Sequence, residues 1–492
     1  MATFVLVVYG LTLAGLAYFG LHRVKMLCLY LRYIRRRAEK VPLAAPYPSV
    51  CIQCPLYNEP LVVEALLEKV LAIRWLGKLE IQILDDSSDE TPELIEKWLA
   101  AHPQYAGLVK HVRRPQRSGY KAGALAFGMK LTDAQYFAIF DADFRPEPDF
   151  LEQLMPYFAT DNIAVVQARW EFSNRRSSLL TRFQGIFLDA HFLIEQVARS
   201  TAGLFFNFNG TAGIWRRTAL EDAGGWTPDT VTEDLDASYR AQRLGWKFVY
   251  VGNYSVPSEL PENLTAFKSQ QHRWTKGGIQ VARKQLRAIF KSDLPTRVKR
   301  EAFSHLTIGF VHPLLVTFSI LFVPYLYVMG HVPMHRIWLV LNPLSVVLTL
   351  GSTVVLYVTG QYFRQCQWKE GALLLVTAPL LLAFGLAMSV TCCVAVFEGL
   401  LTEGGEFVRT PKGGRAVKSG GMLSALRGRA LFTTVIAIEL ALGLCMLGGA
   451  LYFGRLEMMA VAATLLVKAS GFLGLAAFST HDLLPRAASA RG

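Results

Sequence analysis

Cysteine is scarce in this chain, and the few cysteines form no disulfide framework. Seven are spread over 492 residues, which excludes a small disulfide-held scaffold and fits a reducing compartment. Cys51 and Cys54 form a C-x-x-C pair inside a strand-like run, where residues three apart face opposite sides. No second Cys or His pair accompanies them. We therefore expect both thiols to pack in the core rather than to bind zinc.

Charged residues are also sparse, at 18% of the chain, and they are absent from residues 3–21. Similar apolar runs return later in the chain, at 304–330, 337–360, 371–400, 431–453 and 457–479. A membrane-spanning helix needs about 20 apolar residues, so the chain offers five or six candidates. Residues 41–300 instead have the mixed composition of a globular domain. The pattern predicts an integral membrane protein with a folded domain inserted between its helices.

The net charge of +13 raises the question of a nucleic-acid partner. The basic residues, however, cluster beside the apolar runs, in segments 23–40, 284–300 and 409–429. Such clusters mark the cytoplasmic ends of membrane helices, so we predict contact with membrane lipid and no nucleic acid. Residues 1–40 are then a retained anchor rather than a cleaved signal peptide. We therefore expect the N-terminus to lie outside and the inserted domain to be cytoplasmic.

One apolar run cannot cross the membrane if all three basic clusters face the same side. Three runs lie between residues 304 and 401, and only an even number of crossings fits there. We expect the later part of 371–400 to lie in the membrane interface as an amphipathic helix. Pro379 offers a break before it. The predicted topology therefore has five crossings.

Strand-like and helix-like runs alternate within the inserted domain. The strand-like runs are 49–57, 79–86, 136–143 and 163–170. Alternation of this kind predicts a Rossmann-like α/β sheet, mostly parallel, with helices on both faces. Such sheets bind ligands beyond the carboxyl ends of their strands. Two acidic pairs, Asp85-Asp86 and Asp141-x-Asp143, stand at such ends.

Asp141 and Asp143 are candidate metal ligands. Hard divalent cations prefer oxygen ligands, and Mg²⁺ commonly takes one or two carboxylates together with phosphate oxygens of a substrate. We expect Mg²⁺ or Mn²⁺ here, bridging to a nucleoside diphosphate and stabilising the charge of the leaving group. The alternative is a solvated turn, since D-x-D is a common pattern.

Three further residues are candidates for nucleotide binding. Carboxylates at a strand end accept hydrogen bonds from ribose hydroxyls, which assigns Asp85 and Asp86 to the base and ribose of the donor. Their alternative is capping of the following helix. Lys121, in the segment GYKAGA, would place a positive charge on the diphosphate. A surface lysine is the alternative there.

The segment Thr232-Glu233-Asp234 is the candidate catalytic turn. Transfer of a sugar needs a base that takes the proton from the acceptor hydroxyl, and Asp234 is the residue we assign to this role. Thr232 and Glu233 would orient it. A threonine followed by acidic residues also resembles a helix cap, and both descriptions can hold together.

The segment Gln270-Gln271-His272-Arg273-Trp274 supplies the other side of the predicted site. Arg273 can pair with a diphosphate through two parallel hydrogen bonds, with Gln270 adding amide contacts. The flat face of Trp274 suits the C–H face of an acceptor sugar. The alternative is an amphipathic surface helix that turns Trp274 toward lipid.

These motifs, in this order, resemble the family 2 inverting glycosyltransferases of the cellulose synthase superfamily. Longer segments, among them QILDDSSDET, GYKAGAL, FDADFRPEPDF, FNGTAG and QQHRWTKGG, look like the cellulose synthase-like A and C proteins (glucomannan and xyloglucan-backbone synthases) and their bacterial relatives. The similarity covers roughly residues 48–285. It implies a GT-A fold, a nucleoside diphosphate sugar as donor and a β-linked product formed by inversion.

Residues 407–412 resemble the gating loop of cellulose synthase, whose pattern is F-x-V-T-x-K. The resemblance implies that Thr410 and Lys412 contact the diphosphate when the loop closes. Arg409 stands where the family has Val, and an ordinary basic loop is the alternative.

We therefore predict an α/β GT-A domain (41–285) inserted in an α-helical transmembrane bundle, between the anchor 1–40 and the segment 286–492. The predicted function is that of a processive hexosyltransferase, which adds hexose from UDP-glucose or GDP-mannose to a β-glucan or mannan and moves the polymer through the bundle. Two alternatives stay open. One is a glycosyltransferase that adds one or a few sugars to a lipid, and the other is a transporter or receptor with a catalytically inactive nucleotide-binding domain.

Overall fold

The structure is a computed structural model that describes residues 1–36, 38–42, 45–331, 336–365, 368–405 and 422–483. The described residues contain seven strands, β1 Val50–Leu56, β2 Leu79–Asp85, β3 Val109–Arg113, β4 Tyr136–Ile139, β5 Ile163–Phe172, β6 Gly213–Arg216 and β7 Lys247–Ser258. The helices of the same ranges are α1 Ala2–Tyr33, α2 Val63–Leu71, α3 Thr91–Ala101, α4 Tyr120–Met129, α5 Phe150–Leu154, α6 Leu179–Asp189, α7 Gln196–Thr201, α8 Arg217–Asp222, α9 Glu233–Arg243, α10 Leu264–Lys291, α11 Thr296–Leu306, α12 Val311–His331, α13 Arg336–Val346, α14 Ser352–Gln365, α15 Trp368–Leu401, α16 Met422–Arg455 and α17 Met459–Leu483.

The seven strands form one mixed sheet with the order β3-β2-β1-β4-β6-β5-β7. Strand β6 runs antiparallel to both of its neighbours, and the other pairs are parallel. The predicted strands at 49–57, 79–86, 136–143 and 163–170 correspond to β1, β2, β4 and β5, which confirms the α/β fold. Strands β3, β6 and β7 were not predicted.

Both faces of the sheet are covered, as its near-continuous apolar strands require. Cys51 packs in the cluster with Phe137 and Trp215 on one face, whereas Cys54 packs with Ile52 and Leu66 on the other. Both cysteines are fully buried. The prediction that these thiols face opposite sides and pack in the core is confirmed.

Six helices of the described ranges are long and apolar enough to cross a membrane. They cover Ala2–Tyr33, Ile308–Gly330, Val340–Arg364, Gly371–Leu401, Phe432–Arg455 and Met459–His481. The chain is therefore built as an integral membrane protein around an inserted α/β domain.

The predicted break at Pro379 is wrong, because α15 runs without interruption from Trp368 to Leu401. The neighbouring Ala378, Leu381 and Ala383 are buried, and a proline is tolerated in an apolar helix that its neighbours pack closely.

Both ends of α15 contact the α/β domain. At one end, Leu374 packs with Phe183 and Ile186 of α6. At the other end, Gln280 of α10 donates to the carbonyl of Gly404, just beyond the helix, at 2.8 Å. These contacts favour an α15 that lies along the membrane surface facing the domain, as the five-crossing topology requires. The topology itself stays a prediction.

The α/β domain is joined to the membrane helices through buried ion pairs. The carboxylate of Glu301 in α11 is fully buried, and it accepts from His22 Nε2 at 2.9 Å, Lys25 Nζ at 2.6 Å and Arg199 Nε at 3.0 Å. A buried charge is stable only with such partners. The anchor α1, the domain helix α7 and α11 are therefore fixed to one another. Helix α10 is also continuous across residue 285, where we placed the domain boundary.

Candidate active site

A cleft of about 170 Å³ opens at the carboxyl ends of β1 and β4. It gathers predicted residues from five separate segments of the chain: Asp86, Lys121, Asp141, Asp143, Thr232, Glu233, Asp234, Gln270, Arg273 and Trp274. Asp85 does not line it, and Thr410 and Lys412 lie outside the described residues. The sheet edge forms one wall of the cleft, and helices α9 and α10 form the other.

Asp85 and Asp86 occupy different environments although they are adjacent. Asp86 lines the cleft, and its carboxylate is paired with Arg114, whose Nε donates to Oδ1 at 2.9 Å. Asp85 is buried at the end of β2, where it accepts from the backbone of Ser87 at 2.8 Å and lies 3.0 Å from His111 Nε2. Asp85 therefore supports the strand end and does not face the cleft. Neither of them caps α3, whose N-terminus has no side-chain cap, although Asp89 accepts from the Thr91 backbone.

Lys121 holds the acidic loop after β4 in place. Its Nζ donates to Asp141 Oδ1 at 2.6 Å and to the carbonyl of Gly210 at 2.9 Å. Burial lowers the pKa of Lys121, but Asp141 and then Glu233 outweigh it, and the net shift is upward. The lysine is therefore charged in the cleft, as its predicted role on a diphosphate requires.

The D-x-D carboxylates suit a divalent cation that shares its coordination with a ligand. Asp141 retains a third of its side-chain surface exposed, and Asp143, 4% exposed, lines the same cleft. Within the described ranges, no group of three or more His, Cys, Asp or Glu side chains could hold an ion alone. Two carboxylates completed by phosphate oxygens are a donor set that Mg²⁺ and Mn²⁺ accept. Asp141 and Asp143 therefore fit the predicted metal site.

Asp234 occupies the first turn of α9, facing the cleft. Desolvation, and then the negative charge of Glu233, raise the pKa of Asp234 to about 7, against the smaller opposing effects of Lys121, the Leu235 backbone and Arg273. A carboxylate with this pKa is an effective proton acceptor at neutral pH. Thr232 is the residue before α9, but its hydroxyl makes no capping hydrogen bond to the helix. The alternative role of Thr232 as a side-chain cap is therefore not supported.

Helix α10 packs directly against the candidate catalytic turn, residues 232–234. A Cβ placed on Gly277 would lie 2.4 Å from Thr232 Oγ1, so only glycine allows this approach. Asn263 caps the start of α10 by accepting from the Ala266 backbone at 2.7 Å. The helix thereby presents Gln270, Arg273 and Trp274 to the cleft. The alternative in which Trp274 faces lipid is therefore wrong.

The other face of α10 is fixed to the membrane bundle. Lys268 is almost completely buried, and its Nζ donates to Glu439 Oε1 and Oε2 of α16 at 2.7 and 2.8 Å. It also donates to Ser479 Oγ of α17 at 2.8 Å. The position of Arg273, five residues along the same helix, therefore depends on helices that follow in the chain by more than 150 residues.

Sequence reasoning missed the segment Asn209-Gly210-Thr211 as part of the site. Gly210 has φ +83°, and a Cβ there would lie 3.0 Å from Asp234 Oδ2. Thr211 Oγ1 accepts from the Asp141 backbone at 2.9 Å. The Asn-Gly pair in FNGTAG is a turn signal that could have found this close approach. Arg114 and Gly277 carried no comparable signal, because their partners are distant in sequence.

A second cavity, of about 390 Å³, continues from the cleft toward the membrane helices. Thr232, Asp234 and Trp274 line both. The second cavity extends to His22 of α1 and His312 of α12. Asp234 and Trp274 thus lie at the junction of the two spaces.

The mixed sheet, with an acidic cleft at its strand ends, defines a GT-A glycosyltransferase fold carried by a membrane helix bundle. A family model described as glycosyl transferase family group 2 matches residues 136–398, which is more than half of the chain. The chain belongs to that family, within the cellulose synthase superfamily that the motifs indicated.

Similar proteins of known sequence are plant glucomannan 4-beta-mannosyltransferases. The chain is 41% identical over 294 residues to probable glucomannan 4-beta-mannosyltransferase 10 of Arabidopsis thaliana, covering 56% of this chain and 53% of that protein. It is 46% identical over 244 residues to probable glucomannan 4-beta-mannosyltransferase 7 of Oryza sativa subsp. japonica, covering 48% of this chain and 42% of that protein. The chain therefore spans about half the length of the curated relatives that it matches.

Among solved structures, a mannosyltransferase from Pyrobaculum calidifontis, in complex with GDP-Man and Mn²⁺, is similar with a TM-score of 0.54 and 20% sequence identity. The match covers 78% of this chain and 99% of that one. At this identity the likeness establishes the fold.

Proposed function

We propose that this protein is a processive, inverting hexosyltransferase that extends a β-linked polysaccharide, with GDP-mannose as its donor. The observation that carries the proposal is the position of Asp234, a carboxylate with a pKa near 7 at the junction of an acidic cleft and a second cavity. A donor and an acceptor bound in these two spaces would meet at this carboxylate.

The cleft supports donor binding through charge. Lys121 and Arg273 supply positive charge for a diphosphate. Asp86, held by Arg114 at the wall of the cleft, would accept hydrogen bonds from the ribose hydroxyls. Asp141 and Asp143 would hold Mg²⁺ or Mn²⁺, which supplies charge stabilisation for the departing nucleoside diphosphate. Lys121 bonds Oδ1 of Asp141, so Asp141 would bind the cation through Oδ2.

The reaction is a single displacement at the anomeric carbon. The acceptor hydroxyl loses its proton to Asp234 as its oxygen bonds to that carbon, and the bond to the diphosphate oxygen breaks on the opposite face. The configuration inverts, which gives a β-linkage from an α-linked donor. Trp274 would stack on the terminal sugar of the acceptor and hold its hydroxyl near Asp234.

The choice of mannose rests on similarity. The plant relatives are named glucomannan 4-beta-mannosyltransferases, and the mannosyltransferase of related fold was solved with GDP-Man and Mn²⁺. We therefore favour GDP-mannose over UDP-glucose as the donor.

Polymer translocation through the bundle is part of the proposal. It is supported by the second cavity, which leads from Trp274 to His22 and His312 of membrane helices. The basic segments beside the apolar runs support a cytoplasmic active site. A growing chain would leave the cleft by this route.

The direct test is a donor screen with the purified full chain in Mn²⁺ or Mg²⁺. We expect GDP-mannose to give a ladder of mannose oligomers by mass spectrometry, with UDP-glucose and UDP-N-acetylglucosamine giving little product. A single glycolipid would support the lipid-acceptor alternative. Binding of donors without transfer or hydrolysis would support the inactive receptor or transporter.

A further inference from the structure

A basic groove, separate from both cavities, lies where the GT-A domain meets helices α14 and α15. It has a volume of about 650 Å³, and we define it by Arg175, Arg176, Arg182, Arg364, Leu179 and Leu373. None of its described lining residues lines the cleft or the second cavity. The basic groove therefore takes no part in the proposed transfer reaction.

A network of ion pairs and hydrogen bonds forms the floor of the groove. Arg175 Nη1 bonds the carboxylate of Asp189, and its Nη2 donates to Gln361 Oε1 at 2.7 Å. Arg364 Nε lies 3.6 Å from the same carboxylate. Gly185 makes room for this arrangement, since a Cβ there would lie 2.8 Å from Arg175 Nη1. Two guanidinium groups thus share one buried carboxylate.

The lining carries an excess of positive charge. Its described residues include four arginines and no acidic side chain. Among the residues that the structure describes, the guanidinium of Arg182 takes part in no hydrogen bond or ion pair. Guanidinium groups match the geometry of phosphate oxygens and are weakly hydrated. The complementary occupant is therefore a phosphate-bearing anion.

The groove lies at the level where a lipid headgroup would be. Arg364 is the last residue of one candidate membrane span, Val340–Arg364, and Leu373 lies near the start of the next, Gly371–Leu401. Leu179 and Leu373 are 55% and 44% exposed, so an apolar wall stands beside the arginines. Basic pockets between membrane helices on the cytoplasmic side are the sites where anionic headgroups bind.

We propose that the basic groove binds an anionic phospholipid, with the headgroup phosphate on Arg176 and Arg182 and an acyl chain along Leu179 and Leu373. The lipid would clamp α6 against α14 and α15. Helix α6 also carries Leu188, which lines the cleft. Occupancy of the groove therefore stabilises the domain–membrane junction beside the active site.

The test measures lipid binding by the purified full chain in a zwitterionic detergent. Native mass spectrometry and thermal unfolding are followed while dioleoyl phosphatidylglycerol or dioleoyl phosphatidylcholine is added. We expect phosphatidylglycerol adducts and a rise in Tm, with phosphatidylcholine at least tenfold weaker. The Arg176→Gln/Arg182→Gln variant, which leaves Arg175 and Asp189 intact, should lose most of the shift.

A matched variant controls for net charge. Arg287 and Lys291 are exposed basic residues of α10 outside the groove, and Arg287→Gln/Lys291→Gln should keep the phosphatidylglycerol response. If the double groove variant does not fold, Arg182→Gln alone replaces it, with an expected loss of several-fold in lipid affinity.

Three results would overturn the proposal. One is an equal response to both lipids, and another is an equal loss in the groove variant and the matched variant. The third is stabilisation by inorganic phosphate that equals that by phosphatidylglycerol and also depends on Arg182. That result would define a site for small anions instead of a lipid site.

Discussion

Two carboxylates on opposite faces of helix α9, only two residues apart, lie in opposite electrostatic environments. Asp236 is fully buried and satisfied, because Arg240 Nε, Lys284 Nζ and Gln285 Nε2 all donate to it at 2.7–2.8 Å. Asp234 faces the cleft, where desolvation and Glu233 raise its pKa. One carboxylate locks α9 to α10, whereas the other is held in an environment that makes it reactive.

The first turn of α9 therefore combines a carboxylate that stabilises the fold, Asp236, with one suited to accept a proton, Asp234. A buried carboxylate with several cationic donors contributes to stability only as long as its partners remain. A carboxylate kept short of compensating charge costs stability and gains basicity. Substitution of Asp234 should therefore lower mainly the rate of transfer, whereas substitution of Asp236 should lower mainly the stability.

The largest effect is expected for Asp234→Asn. Removing the base should lower the rate of transfer by roughly 10²- to 10⁴-fold, whereas the affinity for donor nucleotide stays close to that of the wild type and the Tm at neutral pH does not fall. Steady-state kinetics with donor binding by calorimetry measures both. Retention of wild-type transfer would remove Asp234 from its assigned role.

Asp236→Asn should act mainly on stability. Arg240 and Lys284 would lose their shared partner, and breaking such a buried pair costs about 3–5 kcal/mol. We expect a large fall in Tm, with the donor KM of the folded fraction nearly unchanged. Catalytic loss at an unaltered Tm would show that the contrast between the two carboxylates is wrong.

The pH profile should report the raised pKa of Asp234. The active form is the carboxylate, so kcat/KM should fall about tenfold per unit as pH drops below about 7. Because Glu233 raises this pKa, Glu233→Gln should move the acidic limb to lower pH. An acidic limb near pH 4 in the wild type would contradict the assignment.

The same raised pKa also sets the sign of a stability effect. A carboxyl with a folded-state pKa above its unfolded value near 3.9 binds more protons when folded, so its contribution to stability declines as pH rises from about 4 to about 7. Asp234→Asn should abolish this decline. Chemical unfolding at several pH values measures it.

The smallest effect concerns the contact between α9 and α10. Gly277→Ala brings a methyl group against Thr232 and should cost about 1–3 kcal/mol while lowering transfer. Gly278 offers a matched control, since no atom lies within 4 Å of its Cβ position. Gly278→Ala should therefore be neutral, or stabilising by up to about 1 kcal/mol. Equal effects of the two variants would contradict the seating of α10 on the catalytic turn.

The sheet and the composition of the cleft could be predicted from sequence because their signals are local. Apolar runs located β1, β2 and β4, and the chemistry of parallel sheets placed Asp86, Asp141 and Asp143 at one edge. The order of the acidic motifs then identified Asp234 and the Trp274 side of the cleft.

What could not be predicted depends on long-range contacts. Whether Asp85 or Asp86 faces the cleft depends on His111 and Arg114, which lie on or just after β3. The continuity of α15 through Pro379 depends on the helices that pack around it. The Lys268–Glu439 pair joins residues 171 positions apart. Glu439 stands out as a charge in an apolar run, but nothing local identifies its partner.

The most direct test of the account is a cryo-electron microscopy structure of the protein with Mn²⁺ and a non-hydrolysable GDP-mannose analogue. We predict that the diphosphate lies between Asp141, Asp143 and Arg273, with the anomeric carbon facing the Asp234 and Trp274 side of the cleft. Nucleotide density elsewhere, or an anomeric carbon remote from Asp234, would contradict the central claim that these distant segments form one site of transfer.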